Sequence, residues 1–119
     1  MGKILELRTL AELNRFIEYS HRVPGLLLKH STRCPVSAGV LRRFQAFSKA
    51  SAETGLVFGL IRVIEDRSLS NQVANHFGIL HQSPQLLLIS KGRVLWHESQ
   101  GGITDERIAE AVRRFFSPL

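Results

Sequence analysis

The first half of the chain switches repeatedly between strand-like and helix-like spacing of its hydrophobic residues. A short apolar run at residues 4–7 is followed by "TLAE", in which Thr9 and Glu12 have the spacing of a helix-capping box. The helix that follows has one apolar face and ends at "RVPG". The apolar run "LLLKH" then predicts a buried strand at residues 26–30.

A longer helix is predicted for residues 35–50. Pro35 suits its first position, where the missing backbone N–H would have had no partner. The run "LVFGLIRVI", residues 56–64, then predicts another strand because it is rich in leucine and β-branched residues. The apolar face of the helix is expected to consist of Val36, Val40, Phe44 and Phe47.

The second half predicts a third helix followed by a hairpin. Ser68 or Ser70 is the expected N-cap of the helix, and Gly78 is its stop signal. "PQLLLIS" and "RVLWH" are predicted strands separated by Lys91 and Gly92, a spacing typical of a β-hairpin.

Thr104 is the expected N-cap of a last helix, which completes the order β-α-β-α-β-α-β-β-α. Strands that alternate with helices imply a parallel central portion of the sheet, and the hairpin adds an antiparallel edge. The predicted fold class is therefore α/β, with a mixed central sheet flanked by helices in the element order of thioredoxin. A length of 119 residues suits a single domain over residues 1–119, with one core.

Composition and charge exclude several classes of function. The apolar runs are too short to span a membrane, and the N-terminal segment lacks the pattern of a signal peptide. The net charge is +6, but the basic residues are scattered and do not alternate with aromatics, so we expect no nucleic-acid partner. A lone cysteine is easiest to keep reduced in the cytosol, so we expect a cytoplasmic location and no membrane partner.

No metal site is expected, because the histidines show no i, i+4 pair and no accompanying C-x-x-C. A lone histidine is more often structural than a metal ligand. The five histidines are His21, His30, His76, His81 and His97.

Cys34, the only cysteine, stands between a predicted strand end and a predicted helix start. The free backbone N–H groups and the positive end of the helix dipole there favour a thiolate, which is the form that attacks disulfides. Ser37 occupies the place of the second cysteine in a C-x-x-C redox pair. On spacing alone, a reactive thiol and an inert buried cysteine are equally acceptable.

Pro84 is the second candidate feature, because Ser83-Pro84 leads directly into a predicted strand. In thioredoxin-like folds a cis proline at this place lies opposite the reactive cysteine and lines the groove that receives substrate. The alternative is an ordinary trans proline at the start of a strand. The sequence alone favours that alternative, because cis X–Pro bonds are a small minority.

Three motifs occur together in the chain: K-H-S-T-x-C-P-x-S around Cys34, R-x-L-S at the third helix, and H-x-S-P-Q before a strand. In this combination they resemble the YtxJ-like proteins of the bacillithiol system, the monothiol bacilliredoxins. The resemblance extends from the first helix to the last. It implies a thioredoxin-like fold, a cytosolic location in low-GC Gram-positive bacteria, and thiol exchange with bacillithiol-modified proteins.

The resemblance also implies roles for residues of these motifs. By position, Cys34 is the redox thiol, and Pro35 and Ser37 complete its C-P-x-S site. Ser83 and Pro84 are expected in the substrate groove, and the resemblance implies that the bond between them is cis. Ser37, if it lies on the first helical turn, is a candidate to hydrogen-bond the thiolate.

Thr32 and Arg33 precede the thiol and are expected to support it. The family usually has a second threonine and an isoleucine where Arg33 and Val36 stand in this chain. Arg33 places a cation next to the thiol, which bears on substrate preference more than on mechanism.

The mechanism that the resemblance implies uses one thiol. The Cys34 thiolate attacks the sulfur of a bacillithiol–protein mixed disulfide, the target thiol leaves, and Cys34 carries the bacillithiol. Free bacillithiol or a resolving dithiol reductase then removes it, because Ser37 cannot form an internal disulfide. Bacillithiol is thus a low-molecular-weight co-substrate, and no tightly bound cofactor is expected.

Two alternatives stay open at this point. The first is a carrier that holds an iron–sulfur cluster between two subunits through Cys34 and an external thiol, as monothiol glutaredoxins do. It ranks lower, because Pro35 should crowd such a cluster. The second is a non-catalytic regulatory module in which Cys34 is only a target of thiolation.

Overall fold

The structure, a computed structural model, describes residues 3–116. Within that range no helix has the length and apolarity needed to cross a lipid bilayer. The elements follow the predicted order, with an additional 3₁₀ turn before the last helix. They are β1 (Ile4–Glu6), α1 (Leu10–Tyr19), β2 (Gly25–His30), α2 (Pro35–Ala50), β3 (Val57–Arg62), α3 (Arg67–Phe77), β4 (Gln85–Ser90), β5 (Arg93–Ser99), the 3₁₀ turn (Gln100–Gly102) and α4 (Asp105–Phe115).

The five strands form one mixed sheet in the order β1-β3-β2-β4-β5. β3 lies parallel to β1 and to β2, whereas the β2–β4 and β4–β5 pairs are antiparallel. Lys91 and Gly92 connect β4 to β5 with φ of 54° and 75°, and a tight type I′ hairpin turn requires positive φ at both positions. The predicted mixed sheet with an antiparallel edge is confirmed.

β2 is the centre of the core, because helices cover both of its faces. Every residue of this strand is buried, as expected where a strand lies in the middle of a sheet. Leu26 and Leu28 pack with α2 and α4 on one face, and Leu27 packs with α1 and α3 on the other. Lys29 and His30 continue this alternation, so their side chains leave the end of β2 on opposite faces.

Phe16 of α1 lies against the sheet at a place where two neighbouring strands each have a glycine. A Cβ atom at Gly25 or at Gly59 would come within 2.8 Å of the Phe16 ring. The helix therefore approaches β2 and β3 closely because glycine stands at both positions.

Most local signals act as predicted. α2 spans Pro35–Ala50, which matches the predicted bounds. Thr9 and Glu12 form the capping box of α1, in which each side chain accepts the backbone N–H of the other residue at 3.1 Å. Thr104 caps α4 through the N–H of the third helical residue, and Gly78 ends α3 with a φ of 66°, a conformation that glycine adopts without strain.

The prediction for the start of α3 is wrong. The helix begins at Arg67 with Asp66 as its N-cap, so Ser68 and Ser70 lie inside it. The reason is that the turn after β3 is very short. The Asp66 N–H already donates to the Arg62 carbonyl oxygen at 2.8 Å, and helical bonding continues from there.

The prediction that Val36 faces the core is also wrong, because this residue is 50% exposed. Ser37 takes the inner place in the first turn of α2, and Val36 lies about 100° away around the helix axis. The buried positions of the helix are Ser37, Val40, Phe44 and Ser48, at the i, i+3 and i+4 spacing of one face.

Candidate active site

Cys34 lies at the start of α2, at the edge of the sheet where β2 ends. It is the N-cap residue of the helix, with extended backbone angles (φ −108°, ψ 120°) that a following proline favours. Its carbonyl oxygen accepts the N–H of Ala38 at 3.0 Å. Cys34 is partly exposed, so its thiol combines access to solvent with the positive end of the helix dipole.

Thr32 and Arg33 lie in the exposed loop between β2 and α2. Thr32 Oγ1 donates to Glu65 Oε2 at 2.9 Å, and Glu65 belongs to the loop between β3 and α3. The backbone N–H of Glu65 itself, followed by the Thr32 hydroxyl, holds the pKa of the Glu65 carboxyl below its usual value. Thr32 therefore links two loops near the thiol, and Arg33 is an exposed cation adjacent to Cys34 in the chain.

Ser37 is completely buried in the first turn of α2. Its Oγ accepts the Ser31 N–H at 2.9 Å and lies 2.7 Å from His30 Nδ1. Burial lowers the pKa of the His30 imidazole, and the negative charge of Glu65 partly opposes this. The Ser37 oxygen thus contacts both His30 and Ser31, so Ser37 fixes the start of α2 to the end of β2. A hydrogen bond from Ser37 to the thiolate stays a prediction.

The segment between α3 and β4, residues 78–84, is called the Pro84 loop below. Pro84 is buried at its end, and the Ser83–Pro84 bond is cis. The Ser83 Oγ atom is buried without a hydrogen-bond partner among the residues that the structure describes. Lys29 pairs with Gln85 in the antiparallel register of β2 and β4. The end of the Pro84 loop and the end of β2, which leads to Cys34, therefore lie at the same edge of the sheet.

Sequence reasoning missed two residues that join these loops. Lys29 is completely buried, and its Nζ lies 3.1 Å from Nδ1 of His81 in the Pro84 loop. Burial lowers the pKa of Lys29 from 10.5 to about 8. The signal was a lysine inside an apolar strand run. The spacing of the histidines bears only on metal ligation and gives no signal for this contact of His81.

The arrangement suits the chemistry of a single thiol. One partly exposed cysteine stands at a helix N-terminus, from which its sulfur is accessible for attack on a disulfide. Across residues 3–116, histidine, cysteine and carboxylate side chains form no group of three that would hold a metal ion.

Comparison with protein families identifies the family to which the chain belongs. The family described as monothiol bacilliredoxin BrxC matches residues 5–108 of the chain. The chain belongs to this family. Its membership confirms the resemblance carried by the sequence motifs, and it supports a monothiol thiol-redox role for the only cysteine, Cys34.

Solved structures confirm the thioredoxin-like fold. A protein described by its thioredoxin fold and a proposed oxidoreductase role is 27% identical, with 92% of this chain and 94% of that chain covered and a TM-score of 0.79. Malassezia sympodialis thioredoxin is 12% identical, covers 96% of this chain and 91% of its own, and has a TM-score of 0.78. Fasciola hepatica thioredoxin is 16% identical, with coverages of 92% and 97% and a TM-score of 0.76.

Proposed function

We propose that the chain is a thiol-disulfide oxidoreductase that removes bacillithiol from mixed disulfides on proteins, with Cys34 as the nucleophile. One observation carries this proposal: the only cysteine, which is partly exposed, occupies the N-cap position of α2 in a member of the monothiol bacilliredoxin family. The helix N-terminus stabilises the thiolate, which is the attacking form.

In the proposed first step, the Cys34 thiolate attacks the bacillithiol sulfur of the mixed disulfide. A new S–S bond joins Cys34 to bacillithiol, the old S–S bond breaks, and the target protein leaves as a thiolate that takes a proton from water. One disulfide is exchanged for another, so this step needs no external reductant. We propose that Ser83 and Pro84 line the groove that receives the target.

The second step needs a thiol from outside the chain, because a serine stands at position 37. A second bacillithiol thiolate, or one thiol of a dithiol reductase, attacks the mixed disulfide and releases the Cys34 thiolate. Bacillithiol is thus a co-substrate in this proposal, and the chain needs no tightly bound cofactor. We place the cycle in the cytoplasm, where small thiols are kept reduced.

Mass spectrometry of a single turnover tests the proposal. The reduced protein is mixed with a bacillithiolated model protein, and one bacillithiol per chain is expected to move to Cys34. Cys34→Ser is the matched control, because it keeps the size of the side chain at the helix start and should accept no bacillithiol. A natural chain that stays free of bacillithiol but forms a dimer linked through Cys34 of two copies would contradict the proposal.

A further inference from the structure

Lys29 occupies a position where a charged residue is costly. Its side chain is completely buried, and the salt bridges found within residues 3–116 do not include it. An ammonium group removed from water needs hydrogen-bond partners to remain charged. The partner that the fold provides is His81, whose Nδ1 atom lies 3.1 Å from Lys29 Nζ.

Polar contacts attach the Pro84 loop to four elements around it, of which the 3₁₀ turn contributes two hydrogen bonds from Gln100. Lys29 of β2 reaches His81, and Ser70 Oγ of α3 lies 3.5 Å from the same imidazole nitrogen. Gln85 of β4 donates its side-chain amide to the Leu80 carbonyl oxygen at 3.1 Å. The Leu80 side chain is 82% exposed, so its burial contributes little to holding this part of the loop.

We propose that Lys29 and His81 are positioning residues for exchange at Cys34, because their hydrogen bond holds the Pro84 loop against the strand that leads to the thiol. This inference rests on the proposed function, in which the loop receives the target protein. Both residues act through the loop. β2 ends one residue after Lys29 and continues directly into the turn that carries Cys34.

The charges around the pair determine which group donates. A Lys29 ammonium has only N–H donors, so His81 Nδ1 must accept with its lone pair and the imidazole must be neutral. Burial, then the charges of Lys29 and Arg67, lower the pKa of His81 and so favour its neutral form. Arg67 belongs to α3, which otherwise presents the uncharged Ser70 to His81, and β4 presents the uncharged Gln85 beside Lys29.

Acid should break this hydrogen bond. His81 is exposed, so protons reach it from solvent, and a protonated imidazole has no lone pair and repels the Lys29 ammonium. The contact is therefore present above the lowered His81 pKa and lost as the pH falls through it. Above the Lys29 pKa the neutral amine still has an N–H to donate. Alkali therefore weakens the hydrogen bond but introduces no repulsion between the two side chains.

Two substitutions of His81 separate positioning from general stability. His81→Asn retains a side-chain acceptor near the place of Nδ1 that does not titrate, whereas His81→Phe removes the acceptor and keeps a ring. Both change an exposed residue, so the fold should survive. His97→Asn and His97→Phe are the matched controls, because His97 is an exposed histidine on β5 that pairs with Leu87 of β4 and not with a residue of the Pro84 loop.

Three measurements are made on each variant: the rate of bacillithiol transfer from a model protein, the rate of Cys34 alkylation by iodoacetamide, and the backbone NMR shifts of Ser83 and Gln85 against pH. His81→Phe should slow transfer about tenfold, the effect of losing one hydrogen bond from a charged donor, with little change in alkylation. His81→Asn should transfer at the natural rate at pH 7. In the natural chain, the Ser83 and Gln85 shifts should titrate together with His81, and this titration should vanish in His81→Asn.

The outcomes distinguish this inference from the proposed function. Normal transfer by His81→Phe, or Ser83 and Gln85 shifts that ignore the His81 titration, overturns the positioning role and leaves the proposed function standing. If the natural chain transfers no bacillithiol, the proposed function fails. The NMR titration, which needs no bacillithiol, then decides whether the pair positions the loop.

Discussion

Two neighbouring residues at the end of β2 each bind a part of the active site, but on opposite faces of the sheet. His30 faces α2 and holds Ser37 in a contact whose two residues are both buried. Lys29 faces α3 and holds His81, which is exposed. The first contact is closed to water and fixes the helix that carries the thiol. The second reaches solvent through its histidine, so pH can act on the Pro84 loop without disturbing the thiol helix.

Replacing Lys29 with methionine should show the largest difference between the Lys29–His81 and His30–Ser37 contacts in their effect on stability. Methionine is unbranched and fills similar space without a charge, so the penalty for burying an ammonium group disappears. The pKa of Lys29 falls from 10.5 to about 8, which corresponds to up to ~3 kcal/mol at about 1.36 kcal/mol for each pKa unit. Lys29→Met should therefore unfold at a higher urea concentration at neutral pH, although its bacillithiol transfer is slower.

The stability gain from Lys29→Met should depend on pH in a defined window. Because the pKa of Lys29 is lower in the folded chain, the unfolded chain binds more protons between about pH 8 and pH 10.5. The natural protein therefore gains stability as the pH rises through this window, and the difference from the variant should shrink. If Lys29→Met is instead the less stable protein at neutral pH, the Lys29–His81 contact stabilises the fold. It would then not differ from the His30–Ser37 contact in this respect.

Replacing Ser37 with alanine should have the opposite effect and lower the free energy of unfolding. The change leaves the buried His30 Nδ1 and the partly buried Ser31 N–H without the Ser37 oxygen, and an unpaired buried polar group costs about 1–3 kcal/mol. Urea unfolding should show this loss, whereas the exposed Ser68→Ala should stay within about 0.5 kcal/mol of the natural protein. Equal stability of the two variants would mean that the buried His30–Ser37 contact does not stabilise the position of α2.

The local signals of the fold could be predicted, but the contacts that join the loops could not. The capping box at Thr9, the bounds of α2 and the Lys91–Gly92 turn each depend on residues a few positions apart. The Lys29–His81 contact spans 52 residues and exists only in the register that pairs Lys29 with Gln85. Sequence spacing does not encode that register directly.

The same limit applies to the prediction for Ser37. Its position three residues after Cys34 predicted it as part of the site, and the structure places it in the first turn of the helix that begins after Cys34. Sequence spacing does not show which way the first turn of α2 faces, so it predicts Val36 on the inner face and the Ser37 hydroxyl as a hydrogen-bond partner of the thiolate. In the structure the first turn buries Ser37, and its oxygen is engaged by His30 and Ser31.

The smallest expected effects concern the charges next to each histidine. Glu65 raises the pKa of His30 against burial, whereas Arg67 contributes to lowering the pKa of His81. Glu65→Gln should therefore lower the His30 pKa further and leave His81 unchanged. Arg67→Gln should raise the His81 pKa and leave His30 unchanged. NMR titration of the imidazole signals checks both, and a shift of both histidines in either variant would show that the two faces are electrostatically coupled.

The strand order has a consequence for how the protein emerges from the ribosome. β1 and β2 are made first but are not neighbours, because β3 lies between them, and the other neighbour of β2 is β4. The central strand therefore finds its first partner only when residues 57–62 have been synthesised, and its second when residues 85–90 have followed. Such long-range pairing forms late in folding. Cys34 is thus translated before β3 and β4, the two strands that complete the sheet around the end of β2.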